Sequence, residues 1–158
     1  MTPQSSNRSK TMNTFVAVVF VLSISLGSFA QENPRSENKT AKHVAENVAR
    51  GQYIVEGLAV CSQCHSPRDS NGNLDRAHWL EGAPVWLKSA EPVEDWPLQA
   101  PRIAGTPPGT DAEMVKLLTT GIWRDGKPLR PPMPQFRMTQ ADAEAVIAYL
   151  KSVGSNSN

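Results

Sequence analysis

Apolar residues recur at helical spacing in three segments of the chain. The first segment covers residues 44–60, although Gly51 inside it weakens the helical pattern. The second begins at Thr110-x-x-Glu113, the sequence of a capping box at a helix N-terminus. The third begins near Thr139 and carries its apolar residues on one face. We therefore expect three helices, and no alternating apolar–polar run is long enough to require a sheet.

The segments between these helices are rich in turn-forming residues. Residues 66–109 contain many Pro, Gly, Asn and Asp residues without sustained periodicity, which predicts ordered loop with short helical turns. Pro131, Pro132 and Pro134 exclude a helix around Met133. A total of 13 prolines also argues against a continuous helical rod or a large central sheet. The expected fold class is all-α, with helices joined by long Pro- and Gly-rich loops.

The N-terminal segment has the three-part layout of a secretory signal peptide. Arg8 and Lys10 supply a basic start, and residues 14–26 are uncharged and mostly apolar. Small residues at Ser28 and Ala30 predict cleavage after Ala30. The alternative is an uncleaved membrane anchor, which would be short for a span. Either interpretation places the domain outside the cytoplasm, and the expected location is the periplasm.

Charge and cysteine content exclude several classes of protein. Lys and Arg number 16 and Asp and Glu number 15, so a net charge of +1 does not indicate a nucleic-acid partner. Two cysteines exclude a disulfide-dense scaffold and a Cys-rich zinc site. The length predicts one domain. The expected boundaries are a signal peptide at 1–30, a flexible linker at 31–43, the domain at 44–153 and a disordered tail at 154–158.

Both cysteines lie in Cys61-Ser62-Gln63-Cys64-His65, a C-x-x-C-H motif that predicts attachment of a c-type haem. Two thiols at this spacing can form thioethers with the two vinyl groups of one haem, and the next residue is an imidazole that can reach the iron. Export agrees with this, because c-type haem is attached outside the cytoplasm.

Three other interpretations of the motif are weaker. A structural disulfide between Cys61 and Cys64 would give His65 no role. A thioredoxin-like redox pair needs a βαβ context, which the pattern does not contain. A zinc site needs two more ligands, for which only His43 and His78 remain as histidines.

The iron needs a second axial ligand or leaves a position open. The candidates are Met114, Met133, Met138, His43 and His78. Met133 differs from the others because prolines on both sides hold its backbone extended and rigid. Such a loop can present a thioether to iron without a large ordering cost. The competing interpretation is a Met that fills a gap under a Pro-rich loop.

Over residues 44–153 the chain resembles the class I monohaem cytochromes c, and in particular small bacterial domains that occur alone or beside periplasmic dehydrogenases. The matching segments are RGQYIV (50–55), CSQCH (61–65), PRIAG (101–105), LLTTG (117–121), PPMP (131–134) and DAEAVIAYLKSV (142–153). The resemblance implies the class I cytochrome c fold, with helices packed around one covalent haem c.

The resemblance also implies roles for individual residues. His65 would be the proximal iron ligand and Met133 the distal one. In the family a Pro-x-Leu-x-Gly segment lies on the proximal side, and here Pro101 and Ile103 occupy the Pro and Leu positions. The Pro101 carbonyl would accept a hydrogen bond from His65, which fixes the tautomer of the ligand. Gly51 would allow the last helix to cross the first one closely.

One departure from the family lies between the haem motif and this segment. Pro101 follows His65 by 36 residues, farther than in the shortest members of the family. Residues 66–100 therefore look like an inserted loop, with three tryptophans as apolar anchors: Trp79, Trp86 and Trp96. Pro84 is an alternative proximal element.

These features predict an electron carrier with one haem c and no enzymatic activity of its own. The expected partners are redox proteins: a dehydrogenase or quinol-oxidising donor, and an oxidase or another cytochrome as acceptor. We expect no nucleic-acid partner, and membrane contact only if the N-terminal segment stays uncleaved. The first alternative is a cytochrome subunit or electron acceptor of a periplasmic substrate-oxidising dehydrogenase. The second is a haem enzyme or gas sensor with an open distal site, which requires that Met133 does not bind iron.

Overall fold

The structure is a computed structural model that describes residues 34–154. Its elements are, in chain order, helix α1 (Pro34–Tyr53), a π-helix (Ile54–Leu58), helix α2 (Ser62–His65), a 3₁₀ turn (Arg76–His78), strands β1 (Ala83–Pro84) and β2 (Gln99–Ala100), and helices α3 (Asp111–Thr120) and α4 (Gln140–Gly154). The predicted signal peptide and residues 155–158 of the predicted tail lie outside this range. No helix between residues 34 and 154 is long and apolar enough to cross a membrane.

Helix α1 begins at Pro34, ten residues before the predicted start at residue 44. The linker predicted as flexible at 31–43 is therefore helical from Pro34 onward, which corrects that expectation. Residues 38–46 are all exposed, so propensity and local pairing hold this part of the helix. Lys42 and Glu46, one turn apart, form an ion pair at 3.8 Å. Because no face of residues 38–46 is buried, their sequence has no apolar periodicity that would predict a helix.

Helices α3 and α4 begin where their sequences predict. The Thr110 hydroxyl oxygen accepts from the Glu113 amide at 3.3 Å, and the Glu113 carboxylate accepts from the Thr110 amide at 2.8 Å. Gly121 ends α3 with a φ of 71°, a conformation that favours glycine. The Asp142 amide donates to the Thr139 hydroxyl at 3.1 Å at the start of α4. The capping residues therefore fix both helix starts.

Between residues 66 and 100 the chain forms loops, the 3₁₀ turn and one two-stranded antiparallel sheet. Strand β1 pairs with β2 through Ala83 opposite Ala100 and Pro84 opposite Gln99. This short pairing was not predicted, because two-residue strands leave no alternating pattern in the sequence. The described chain remains rich in helix with little strand, as the predicted all-α class requires.

The core forms where α1 crosses α4. Gly51 is buried at this crossing, and a Cβ on it would overlap the carbonyl oxygen of Ala145. It would also lie 2.8 Å from the Cβ of Tyr149. The predicted close approach of the two helices is thus present. The buried core cluster includes Ile54, Val55, Leu80, Ile103, Met114, Leu117, Leu118, Val146, Ile147 and Leu150.

Candidate haem-binding site

The two cysteines lie on a tight turn that follows the π-helix. The Cys61 amide donates to the Val55 carbonyl at 2.9 Å, and the His65 amide donates to the Cys61 carbonyl at 2.9 Å. Cys61 and Cys64 are both free thiols and half-buried. Val60, at the entry to the turn, has a φ of 46°, an uncommon conformation for a β-branched residue. Because residues three apart are neighbours on a helical turn, both thiols lie on one side of it.

The His65 side chain is held in one orientation by the Pro101 segment. Its Nδ1 lies 2.7 Å from the Pro101 carbonyl oxygen. A carbonyl only accepts, so Nδ1 carries the proton and Nε2 keeps its lone pair. Burial lowers the pKa of His65 and outweighs the opposing effect of this hydrogen bond. The imidazole is therefore neutral at physiological pH, the form that binds metals.

The inserted loop brings Pro101 back to His65. The Gly82 amide donates to the His65 carbonyl at 2.8 Å, and the Ile103 amide donates to the Leu80 carbonyl at 2.9 Å. Gly82 has a φ of 89°, and a Cβ on it would lie 2.8 Å from a backbone oxygen of β2. The hydrogen bond predicted between His65 and Pro101 is therefore present, despite the long separation in sequence.

Pro84, the other candidate for the proximal role, lies opposite Gln99 in the sheet. Ile103, at the Leu position of the family segment, is 8% exposed and belongs to the core cluster. The structure therefore favours the PRIAG segment over Pro84 as the proximal element.

Met133 lies in the Pro-rich loop that connects α3 and α4. Its amide donates to the Arg130 carbonyl at 3.2 Å, and its side chain is half-buried. Met114 is only 5% exposed and packs in the core under α4, and Met138 is partly buried against the same core. Of the three methionines, Met133 is the one that the core cluster does not include. Its role as the distal ligand stays a prediction.

The two other histidines have different surroundings. His43 lies on α1 within residues 38–46, all of which are exposed. His78 is exposed, and its Nδ1 is 2.7 Å from the Asp75 carboxylate. This hydrogen bond, with the charge of the same carboxylate, raises the pKa of His78. A raised pKa favours the protonated form of His78, which is a poorer metal ligand than the neutral imidazole.

The residues of the attachment turn fit a covalent haem. Between residues 34 and 154, every fully buried side-chain N or O atom has a hydrogen-bond partner. Nε2 of His65 has no such partner, so it is not fully buried. Nε2 therefore opens onto space outside the protein core. Beside the turn, Leu58 is 58% exposed and Val60 is 46% exposed. Two thiols, a neutral imidazole and adjacent uncovered apolar side chains are the groups that a haem c requires.

Sequence patterns did not reveal a hydrogen-bond network behind the turn. The Tyr149 hydroxyl donates to the Glu56 carboxylate at 2.6 Å and accepts from the Trp79 indole at 3.2 Å. The Arg76 guanidinium lies 3.7 Å from the centre of the Trp79 ring and 3.3 Å from Glu56. The network joins the π-helix, α4 and the inserted loop. Its members are far apart in sequence, so the only local trace of it was the apolar stripe that contains Tyr149.

Only part of the prediction for the three loop tryptophans agrees with the structure. Trp79 is half-buried against the core, as predicted. Trp96 is not part of the core cluster, and its indole donates to the Leu87 carbonyl of the same loop at 3.0 Å. Trp86, in contrast, is 57% exposed and is not an apolar anchor of the core. Its indole donates to the Gln63 carbonyl at 3.1 Å, so it is attached to the haem-motif turn instead.

Comparison with known sequences assigns the family. The sequence profile of the Cytochrome c family matches residues 48–154. The chain therefore belongs to the cytochrome c family, and this membership supports electron transfer through haem c as its function.

Three curated relatives are themselves cytochromes. The chain is 46% identical over 41 residues to a diheme cytochrome c-type protein of Cereibacter sphaeroides, which is 26% of this chain and 14% of the relative. It is 27% identical over 109 residues to the fructose dehydrogenase cytochrome subunit of Gluconobacter japonicus, which is 66% of this chain and 21% of the relative. It is 37% identical over 49 residues to the cytochrome c subunit of a quinone alcohol dehydrogenase of Gluconobacter oxydans, which is 31% of this chain and 10% of the relative. These matches span between a tenth and about a fifth of the relatives' lengths.

Proposed function

We propose that the protein is an exported electron-transfer protein that carries one haem c, bound through Cys61 and Cys64, with His65 and Met133 as axial ligands. The observation that carries the proposal is the 2.7 Å contact between Nδ1 of His65 and the Pro101 carbonyl. This hydrogen bond leaves Nε2 free, beside two unpaired thiols. Bound haem supplies a one-electron iron couple, and occupation of both axial positions favours electron transfer over oxygen chemistry.

The surroundings of Cys61 and His65 support the proposed site. Burial raises the pKa of the Cys61 thiol to about 11, so the thiol stays protonated at neutral pH. The Gly82 amide donates to the His65 carbonyl, and the Pro101 carbonyl accepts from the His65 side chain, which supports the proposed role of His65 as an iron ligand. Periplasmic location follows from the predicted signal peptide at 1–30 and is part of the proposal.

A second candidate is a cytochrome subunit or electron acceptor of a substrate-oxidising dehydrogenase. The matches to the fructose and alcohol dehydrogenase subunits favour it. Affinity purification of the tagged protein from its native source would separate the candidates. Stoichiometric recovery of a flavin or quinone dehydrogenase supports the second, and recovery of a haem-loaded monomer supports the first.

Haem attachment is tested by the intact mass of the mature protein. We expect the chain from Gln31 plus one haem, with haem that survives acid–acetone extraction. Cys61→Ala and Cys64→Ala should each leave at most one thioether, which makes the haem less resistant to harsh extraction. Two free thiols and fully extractable haem in the wild type would contradict the proposal.

Distal ligation is tested by Met133→Ala, with Met138→Ala and Met114→Ala as matched controls. We expect only the Met133 variant to lose the near-infrared sulfur-to-iron band, to bind carbon monoxide readily when reduced, and to drop in reduction potential. Loss of the band in the Met138 variant alone would show that Met138, and not Met133, is the distal ligand. Strong carbon monoxide binding by the wild type would instead favour an enzyme or sensor with an open distal site.

A further inference from the structure

An exposed indole is fixed to the turn that carries the haem motif. Gln63 lies between Cys61 and Cys64, and its carbonyl accepts from the Trp86 indole at 3.1 Å. The Arg68 guanidinium lies 5.6 Å from the centre of the Trp86 ring and donates to the Gln63 side chain at 2.8 Å. Trp86 is nevertheless 57% exposed. A large apolar ring is therefore held in solvent directly beside the attachment turn.

Trp86 belongs to a hairpin, residues 85–98, that extends from the β1–β2 pair. The Val85 amide donates to the Leu98 carbonyl at 3.0 Å, which continues the pairing by one step. Leu98 is 82% exposed and Val93 is 49% exposed. The Trp96 indole donates to the Leu87 carbonyl, so the hairpin is internally braced. The hairpin therefore carries three exposed apolar side chains, those of Trp86, Val93 and Leu98, and exposed apolar residues that lie close together are typical of interaction surfaces.

The end of the hairpin is acidic. Glu91, Glu94 and Asp95 are exposed, and none has a hydrogen bond or an ion pair through its side chain to any residue between 34 and 154. Lys88 is the one basic residue of the hairpin. Elsewhere on the surface, Asp111 at the N-terminus of α3 is paired with Lys151 of α4. The unpaired carboxylates of the hairpin are thus available to cations from outside the domain.

We propose that the hairpin 85–98 is the docking surface for a redox protein whose contact face has an apolar centre bordered by Lys and Arg side chains. The proposal rests on the proposed function, because it places the partner beside a haem bound at Cys61 and Cys64. Unpaired carboxylates steer and orient a cationic face, and an exposed Trp is a frequent energetic centre of an interface. Because Trp86 is anchored on Gln63, a partner docked there would lie beside the attachment turn that would hold the haem. The reduced member of the pair would then lose one electron and the oxidised member would gain it.

Binding is tested on the isotopically labelled haem-loaded protein with redox-inert tris(1,10-phenanthroline)chromium(III). This paramagnetic cation has apolar ligands and imitates the proposed contact face. We expect it to broaden the amide signals of residues 85–98 at low ionic strength. The variant set that tests the charge is Glu91→Gln, Glu94→Gln and Asp95→Asn. A control with the same charge change is Glu46→Gln, Asp111→Asn and Glu144→Gln, whose carboxylates lie on α1, α3 and α4.

The hairpin variant should lose the broadening, and the control variant should keep it. In stopped-flow mixing with the cobalt(III) analogue, each reduced protein gives up one electron and cobalt(III) becomes cobalt(II). We expect the hairpin variant to react about tenfold more slowly at low salt and to match the wild type at high salt, because screening removes the attraction. Trp86→Ala should also slow the reaction, while Trp86→Phe retains most of the rate.

Three results would overturn the proposal. One is broadening centred outside residues 85–98, and another is equal loss of rate in the control variant. The third is a dimer in sedimentation that Leu98→Ser dissociates, because the hairpin would then bind a second copy of the chain. Every variant in these measurements must first show the wild-type haem mass and spectrum. A wild-type protein without covalent, reducible haem would contradict the proposed function and not the docking proposal.

Discussion

A side chain at Gly51 should destabilise the domain, because α4 leaves no room for one. A Cβ at this position would overlap the Ala145 carbonyl oxygen and lie 2.6 Å from the Ala145 carbonyl carbon. It would also lie 2.8 Å from the Tyr149 Cβ. The blocking atoms are helix backbone and a Cβ, and neither can move aside by rotating a side chain. Relief therefore requires displacement of α4 as a whole.

Two opposing effects set the size of the change. Gly→Ala within a helix stabilises by up to about 1 kcal/mol through helix propensity. Overpacking a tight contact costs about 1–3 kcal/mol, and a backbone contact lies at the upper end of this range. We expect Gly51→Ala to lower the free energy of unfolding by about 1–2 kcal/mol, which is about 4–8 °C in the midpoint for a domain of this size. Gly51→Val should lower it further, because valine is bulkier and a poorer helix former.

The assay is thermal unfolding of the haem-loaded protein, followed by far-ultraviolet circular dichroism. Gly57→Ala is the matched control, because its Cβ would lie 3.6 Å from ring carbons of Tyr53, an ordinary contact. The control should unfold at or slightly above the wild-type midpoint. A midpoint for Gly51→Ala above that of the wild type would refute the close crossing of α1 and α4.

Two further predictions concern pH dependence and helix capping. Burial raises the pKa of Glu56, but hydrogen bonds from Tyr149, Gln52 and Arg76 outweigh it, so the folded pKa lies below the ordinary 4.5. The stability that Glu56 contributes is present above this ordinary pKa and is lost as pH falls through the folded pKa. Glu56→Gln should therefore lose less stability than the wild type between about pH 5 and pH 3. Equal losses in urea titrations of the two proteins would contradict this. Thr110→Ala should lower the free energy of unfolding by about 1 kcal/mol, and Thr110→Ser should keep most of it, as denaturant midpoints would reveal.

Local sequence determines the parts of the fold that could be predicted. The capping box at Thr110 and the apolar stripe of α4 depend on residues three or four apart, so the sequence alone locates both helices. The start of α1 was missed because residues 38–43 are exposed and therefore show no apolar stripe. The β1–β2 pair was missed for a related reason, since backbone hydrogen bonds between distant residues hold it.

The candidate haem site also has a part that the local sequence predicts and a part that it does not. Cys61, Cys64 and His65 are adjacent in sequence, and their chemistry follows from their spacing. The bond from His65 to Pro101 required the resemblance to a family, because nothing between these residues encodes the return of the chain. The bond from the Trp86 indole to a carbonyl of the haem motif could not be predicted, since a tryptophan in a loop has no sequence signature for its partner.

The π-helix Ile54–Leu58 determines the direction in which the cysteines face relative to the crossing of α1 and α4. The Ala59 amide bonds to the Ile54 carbonyl at 2.7 Å, five residues back, so this turn holds one residue more than an α-helical turn. Removal of one residue from it would restore α-helical hydrogen bonding and rotate the following chain by about 100° relative to α1. Cys61 would then face a different side of the molecule while Gly51 stayed in contact with α4. A single inserted residue thus couples the orientation of the thiols to the packing of two helices.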